Sequence, residues 1–149
     1  MAKFSYKMQN ILDVKYKLET QAKTAFSMAA SRLNQEEEKL EGLHQRRRAY
    51  ESHAKELVAD KLDFREIKVN RIAIETVKGA IQNQVVAVHV AQRNLENARI
   101  RLKDVMTERK THEILKEKAF DEFKKELEKE ESKAVDELVS FTHNHAKEE

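Results

Sequence analysis

The fold is decided by the stretch IETVKGAIQNQVVAVHVAQRNLENARIRLKDV, which runs from Ile74 to Val105. Its apolar residues, together with Gln84, recur at alternating steps of three and four, the spacing of the core positions of a coiled coil. This spacing places them in one narrow line along a helix, which we call the seam. A seam this narrow cannot be buried by its own helix, so the stretch predicts a partner helix of similar length. Its members are Ile74, Val77, Ile81, Gln84, Val88, Ala91, Leu95, Ala98, Leu102 and Val105.

The composition agrees with long helices. The chain has 149 residues, of which 40% are hydrophobic and 38% charged, with two Gly and no Pro. Such sequences form extended helical proteins more often than compact globules. The absence of Cys excludes disulfides and thiolate metal sites. No apolar run approaches the roughly 20 residues that span a bilayer, and Met1–Met8 lacks the apolar core of a signal peptide. We expect a soluble cytoplasmic protein.

The N-terminal part of the chain supplies the partner helix, predicted over about residues 3–60. Its seam alternates three and four except at Ala25, Ala29 and Leu33, where two steps of four predict a stutter that relaxes the supercoil. Polar residues in a seam usually specify register, although they could equally face a third protein. The seam members are Phe4, Met8, Ile11, Lys15, Leu18, Ala22, Ala25, Ala29, Leu33, Glu36, Leu40, Leu43, Arg47, Tyr50, Ala54 and Leu57.

The break between the two helices lacks Gly and Pro. Asp63 lies three residues before Glu66, the spacing of a capping box. We therefore predict a turn at about residues 61–65 and a second helix that starts at about residues 64–66 and ends near Phe141. The fold class is all-α: one domain, residues 1–149, forming a long antiparallel two-helix coiled-coil hairpin with a frayed C-terminal tail. The alternative is one unbroken helix, possibly in a parallel homodimer.

The charge distribution favours the hairpin. Residues 1–23 contain five Lys and two acidic residues, whereas residues 111–149 contain seven Lys and twelve acidic residues. A turn near residue 62 would place the basic N-terminal segment against roughly residues 102–124 and leave about twenty C-terminal residues overhanging. Exposed ion pairs contribute little energy, on the order of 0.5 kcal/mol each, but they can set orientation and register.

The sequence contains no recognisable catalytic or metal-binding motif. Gly42 and Gly79 stand alone inside helical patterns, so there is no phosphate loop, and we interpret them as sites of close helix packing. The six His form no pair at a spacing of four, which argues against a metal site. We expect neither an enzyme nor a protein with a cofactor.

The densest basic cluster is Arg46–Arg48, which fits either a solvated face or a docking patch for an acidic protein surface. A nucleic-acid site would need a wider basic face with stacking aromatic residues, and only Tyr50 lies near. A membrane-lying helix would need a wider apolar face. We expect no nucleic acid and no direct insertion into a membrane.

The segment Phe4–Lys15, FSYKMQNILDVK, resembles the start of the FliJ family of flagellar export proteins. In that family an aromatic-rich first turn leads into a helix. Further matching stretches follow in the same order over almost the whole chain. They are Glu37–Leu40, Leu43 to Tyr50, the group Ile74, Val77, Ala80, Ile81 and Gln84, the group Glu113 and Leu115–Lys118, and Asp136–Glu137.

The resemblance implies an antiparallel coiled coil similar to the central stalk of rotary ATPases. It further implies a place in the type III export apparatus, at the cytoplasmic face of the cell membrane. The implied partners are the hexameric flagellar export ATPase, the cytoplasmic domain of the export gate protein and export chaperones. In such a system the stalk enters the ATPase ring, promotes its assembly and activity and couples it to the gate, with a general or escort chaperone role. The protein itself would be a monomer.

The resemblance also assigns two sets of residues by position. Arg46 and Ala73 belong to the first set, although relatives can have an aromatic residue at these two positions. The gate-facing set comprises Lys39, Leu43, Arg46, Tyr50, Ala73, Val77, Ala80 and Gln84. The ring-facing set comprises Phe4, Tyr6, Met8, Ile11, Leu12, Phe123 and Leu127.

Overall fold

A computed structural model describes residues 2–59 and 61–148, and these residues form two long α-helices and no strand. Helix α1 is Gln9–Ala59 and helix α2 is Phe64–Glu148. The predicted all-α class is confirmed, and the alternative of one unbroken helix is wrong. Helix α1 begins later than the pattern indicated, and α2 continues past Phe141. The predicted end of the first helix near residue 60 and the last residue of the predicted tail lie outside the described residues.

The second helix begins where the sequence predicted, because Asp63 caps it. The Oδ1 atom of Asp63 accepts hydrogen bonds from the backbone N–H groups of Arg65 (3.0 Å) and Glu66 (3.4 Å). The carbonyl of Asp63 accepts the first helical bond, from the N–H of Ile67 at 3.1 Å. A side-chain carboxylate at this position satisfies N–H groups that have no partner within the helix and lies favourably at the positive end of the helix dipole. This cap starts α2 without Gly or Pro.

The chain forms two compact units, and both helices contribute to each. One unit combines residues up to Glu19 with residues from Asp104 onward, and we call it the terminal unit. The other spans Thr20–Lys103 and contains the turn, and we call it the turn unit. In each unit a segment of α1 packs antiparallel against a segment of α2, which confirms the predicted helical hairpin.

The seam of α2 is buried as predicted. The most deeply buried members, at 1–8% exposed, are Val77, Ile81, Val88, Ala91 and Val105. Side chains that are buried or half-buried continue at alternating steps of three and four from residue 67 to residue 123. The alternation keeps one face of the helix toward its partner, as a coiled coil requires.

The seam of α1 differs from the prediction in its first half. Leu12 is 1% exposed whereas Ile11 is 41% exposed, and Glu19 is buried. Further on, Phe26 is half-buried and Ala25 is exposed. With these residues the seam alternates three and four without interruption from residue 12 to residue 57, so the predicted stutter is wrong. The pattern misled because Glu19, a charged residue, occupies a core position.

The glycines do not serve close packing within the chain. A Cβ atom added at Gly42 or at Gly79 would have no atom within 4 Å apart from its own helix backbone and chain neighbours. Because Gly costs a helix conformational entropy, Gly79→Ala should raise the free energy of unfolding by about 0.5–1 kcal/mol. Thermal unfolding followed by circular dichroism measures the gain. An unchanged or lower melting temperature would show that the glycine has a structural role within the chain.

The C-terminal part of α2 has no packing partner among the described residues. Every residue from 128 to 147 is exposed, including Val135, Leu138, Val139 and Phe141 at 58–66%. The segment is helical all the same. It forms the overhang that the position of the turn predicted.

Candidate docking surfaces

The N-terminal segment is attached to α2 by aromatic contacts within the terminal unit. The ring of Phe4 lies 5.1 Å from that of Phe120, at 68° in an edge-to-face arrangement, and 5.4 Å from that of Phe123. Such contacts stabilise beyond the area that they bury. Among the described residues the hydroxyl of Tyr6 is buried without a hydrogen-bond partner. Two members of the ring-facing set, Phe4 and Phe123, therefore come together, with Leu127 half-buried beyond them.

The rest of the ring-facing set divides between core and surface. Leu12 is in the core, so it supports packing and is closed to a partner. Met8 and Ile11 are 42% and 41% exposed. We call these two residues the N-terminal rim. They are the members of the set whose side chains are most open to a second protein.

An ion-pair network crosses the two helices of the terminal unit. The guanidinium of Arg109 donates from Nε to Glu19 at 2.7 Å, from Nη2 to the other oxygen of Glu19 at 3.2 Å, and from Nη1 to Glu113 at 3.0 Å. The hydroxyl of Tyr16 donates to the same carboxylate of Glu113. The hydrogen bonds from Tyr16 and Arg109 hold the pKa of Glu113 below its ordinary value, and that to Glu19 raises the pKa of Arg109. A bidentate pair of this kind constrains the axial position of one helix against the other.

The network explains why charge segregation is a weak guide to this interface. Lys15 pairs with Glu108 at 2.9 Å, with the polarity that the basic N-terminal segment predicted. The Glu19–Arg109 pair has the opposite polarity and is better shielded, with side chains 8% and 16% exposed. Sequence reasoning missed Glu19. The signal available was its position seven residues after Leu12, one full heptad.

The turn unit contains a second polar layer in its core. The side-chain amide of Gln84 donates to Glu36, to the carboxylate at 2.6 Å and to the backbone carbonyl at 2.9 Å. The same carboxylate also pairs with Arg32 at 3.0 Å and Lys39 at 3.5 Å. The hydrogen bond from Gln84, aided by these two cations, lowers the pKa of Glu36. Two gate-facing residues, Lys39 and Gln84, thus meet on one buried carboxylate.

We expect this polar layer to make the free energy of unfolding depend on pH. The pKa of Glu36 is lower in the folded protein than its ordinary value of 4.5. The contribution of its ionised carboxylate to the free energy of unfolding is therefore complete above that value and is lost as the pH falls through the folded pKa. We expect the melting temperature to fall as the solution is acidified below about pH 4.5. Glu36→Gln should flatten part of this fall, and Glu37→Gln, at an exposed neighbour, should not. An identical pH profile for both variants would contradict the assignment.

Two other gate-facing residues border a groove near the turn. Tyr50 and Ala73 line an open groove of about 400 Å³ together with Arg65 and Val69. The amide of Asn70 donates to the backbone carbonyl of Tyr50 at 3.2 Å, which ties the two helices together there.

The remaining gate-facing residues range from open to closed. Arg46 is exposed, and Leu43 and Ala80 are half-buried. Val77 is 3% exposed and belongs to the helix–helix core. A partner could reach Val77 only by separating the helices.

The described residues contain no group of three or more His, Asp or Glu side chains positioned to bind a metal ion. Nor does either helix, over those residues, include a segment long and apolar enough to cross a membrane.

Comparison with known proteins identifies the family. The sequence profile described as Flagellar FliJ protein matches residues 4–148. The chain belongs to the FliJ family. A solved structure described as that of a putative YscO homolog from Chlamydia trachomatis matches with a TM-score of 0.81 at 22% identity and covers 99% of each chain. This similarity concerns the fold. None of the curated proteins that were compared matches the chain.

Membership of the FliJ family makes the chain a coiled-coil protein associated with type III export. Proteins of this family are structural components of the export system and are not known as enzymes. The candidate surfaces of this FliJ-family protein are accordingly the N-terminal rim, the overhang and the groove near the turn.

Proposed function

We propose that this FliJ-family protein is a non-enzymatic stalk that docks into the ring of the hexameric flagellar export ATPase. Docking promotes assembly and activity of the ring and couples it to the cytoplasmic domain of the export gate protein. The protein acts in the cytoplasm, at the face of the membrane where its partners lie. It also serves export chaperones in a general or escort role.

One observation carries the ring-docking part of this proposal: the terminal unit leaves apolar side chains open beyond its core. The N-terminal rim is about two-fifths exposed, and the apolar residues Val135, Leu138 and Phe141 of the overhang are 58–66% exposed. An isolated helix end with that much apolar surface is typical of a protein that is covered by a partner in its working state. The aromatic contacts of Phe4 hold the segment that precedes the rim.

The test is ATP hydrolysis by the cognate export ATPase at submicromolar enzyme, with the protein titrated in. We expect stimulation, and we expect the double variant Met8→Glu, Ile11→Glu to lose at least about 1.4 kcal/mol of binding free energy, a tenfold weaker half-saturation. Met28→Glu is the matched control, because Met28 is also an exposed apolar residue of α1 but lies in the turn unit. Equal stimulation by both variants would refute docking through the rim.

The gate-facing part of the proposal rests on the groove that Tyr50 and Ala73 share. Because Tyr50 is half-buried and Arg46 is exposed, both can contact a second protein without helix separation. Arg46→Glu should weaken binding to the gate domain with helicity unchanged, whereas Tyr50→Ala, at a half-buried seam position, needs its helicity measured alongside the binding. Val77→Asp should reduce helicity itself and therefore cannot serve as a test of the surface.

The second candidate is a coiled-coil scaffold or tether without a role at the ATPase. Helical-hairpin packing with polar layers in the core fits that role as well. Absence of both stimulation and physical interaction with the export ATPase would favour it.

A further inference from the structure

A line of uncharged residues follows the outer face of α2 within the turn unit. They succeed each other at steps of three and four, as the seam does, but lie at the two heptad positions farthest from the core. All are exposed. We call this line the outer stripe, and it consists of Val69, Ile72, Thr76, Gly79, Asn83, Val86 and Val90.

The outer stripe is unusually apolar for a surface that faces water. Val69, Ile72, Val86 and Val90 are 54–62% exposed, whereas the outer positions of a coiled coil normally carry charged side chains. The same line continues to a charged residue only beyond its two ends, at Arg65 and Arg93.

Helix α1 provides the internal comparison. Its exposed large apolar residues within the turn unit, over the described residues, are Met28 and Val58. These two are isolated, because they lie thirty residues apart. Within the turn unit, the continuous apolar outer surface therefore belongs to α2.

The middle of the outer stripe has no side chain at Gly79. Gly79 has open space where a Cβ atom would lie, so the glycine costs helix stability without serving any contact in the described chain. One edge of the stripe is bordered by Ala73, Ala80 and Ala87, which succeed each other every seven residues. Small side chains in this arrangement permit a second helix to approach closely along the axis of α2.

The charge around the outer stripe indicates the sign of its partner. Residues 65–93 contain five basic side chains and two acidic ones. One of the acids, Glu75, is already paired with Lys78 at 3.7 Å. Lys68 and Arg71 border a shallow groove with Ile72 and Thr76, so positive charge lies directly beside the apolar surface.

We propose that the outer stripe is a docking site for an amphipathic α-helix of net negative charge, supplied by a partner protein. The apolar face of that helix covers the four aliphatic residues, its backbone approaches α2 at Gly79, and its acidic side chains pair with the flanking cations. Helix-on-helix packing of this kind is a common mode of recognition. The stripe adjoins the groove near the turn at Val69, but it shares no residue with the N-terminal rim or the buried seam, so it goes beyond the ring-docking part of the proposed function.

The probe is a synthetic helix of about 22 residues, long enough to span the stripe at ~1.5 Å per residue. It carries Leu and Ala along one face and Glu on its flanks, and a second peptide carries Lys in place of Glu. Binding to the full chain is measured by fluorescence anisotropy. We expect the acidic peptide to bind at least about tenfold more tightly than the basic one. Similar binding of the two peptides, or none, would overturn the proposal.

Variants locate the binding. Val86→Glu combined with Val90→Glu, and separately Gly79→Leu, should each weaken binding of the acidic peptide about tenfold or more. Neither change should lower helicity, because these positions are exposed and the new residues favour a helix at least as well as Gly and Val do. Met28→Glu should leave binding unchanged. Equal effects of the Met28 and Val86 variants would place the peptide elsewhere and overturn the proposal.

Two further measurements exclude other occupants. Self-association of the full chain that is lost in the Val86→Glu, Val90→Glu variant would identify a second copy as the occupant and overturn the proposal. Binding to anionic phosphatidylglycerol vesicles that is lost in the same variant would identify a membrane and overturn it as well. Stimulation of the export ATPase should be unaffected by this variant, which separates failure of the docking site from failure of the stalk function.

Discussion

Arg109→Leu should destabilise the protein severely, because it removes the guanidinium that binds both oxygens of a buried carboxylate. Glu19 is 6% exposed, and both of its carboxylate oxygens accept hydrogen bonds from the guanidinium of Arg109. A buried charge that has lost its partner costs far more than the pair had contributed. We expect a large fall in the melting temperature, measured by circular dichroism.

The double variant Glu19→Leu, Arg109→Leu is the informative control. Because it removes both charges and offers apolar side chains instead, it should recover most of the stability that the single variant loses. Arg99→Leu breaks the exposed pair with Glu96 and should change the melting temperature little. If the double variant is no more stable than Arg109→Leu, the pair is not the source of the loss.

Leu12→Ala should cost about 2–5 kcal/mol of unfolding free energy, the range for removal of a fully buried leucine side chain. Leu12 and Val105 are both 1% exposed, the largest side chains buried so completely among the described residues. Because the core of a two-helix protein is a narrow strip, few neighbours can move to fill the cavity. Denaturant unfolding measures the loss.

The neighbouring residue provides a matched control for this variant. Ile11→Ala removes a side chain of the same size one position earlier, and Ile11 is 41% exposed. A change of about 0.5 kcal/mol is typical of such surface sites. Equal losses of unfolding free energy in the two variants would indicate that Ile11 lies in the core, as the sequence pattern predicted.

The α2 seam was predictable because it is unambiguous. Between Ile74 and Val105 only one line of residues stays apolar along the whole stretch, with Gln84 as its one polar member, so periodicity identifies it. The start of α2 was predictable for a different reason. An Asp that precedes a helix satisfies its free N–H groups by local geometry, and Asp63 does so independently of the rest of the fold.

The candidate sites were predictable only in part. Their residues were assigned by resemblance, and the sequence carries no information on which of them face outward. Val77 and Leu12 are in the core, whereas Met8 and Arg46 are exposed. The outer stripe has the same spacing as the seam, so periodicity alone does not show that it faces outward.

The sequence by itself determined two long helices, the turn with its cap, and the line of α2 that faces its partner. These features depend on spacing and on local hydrogen bonds. Only the tertiary structure decided between Leu12 and Ile11 and brought Glu19 into the core. In the first turns of α1 two adjacent lines are about equally apolar, so the helix alone has no preferred inner face. The partner helix decides, because Arg109 is half-buried opposite α1 and requires a carboxylate, and Glu19 provides it.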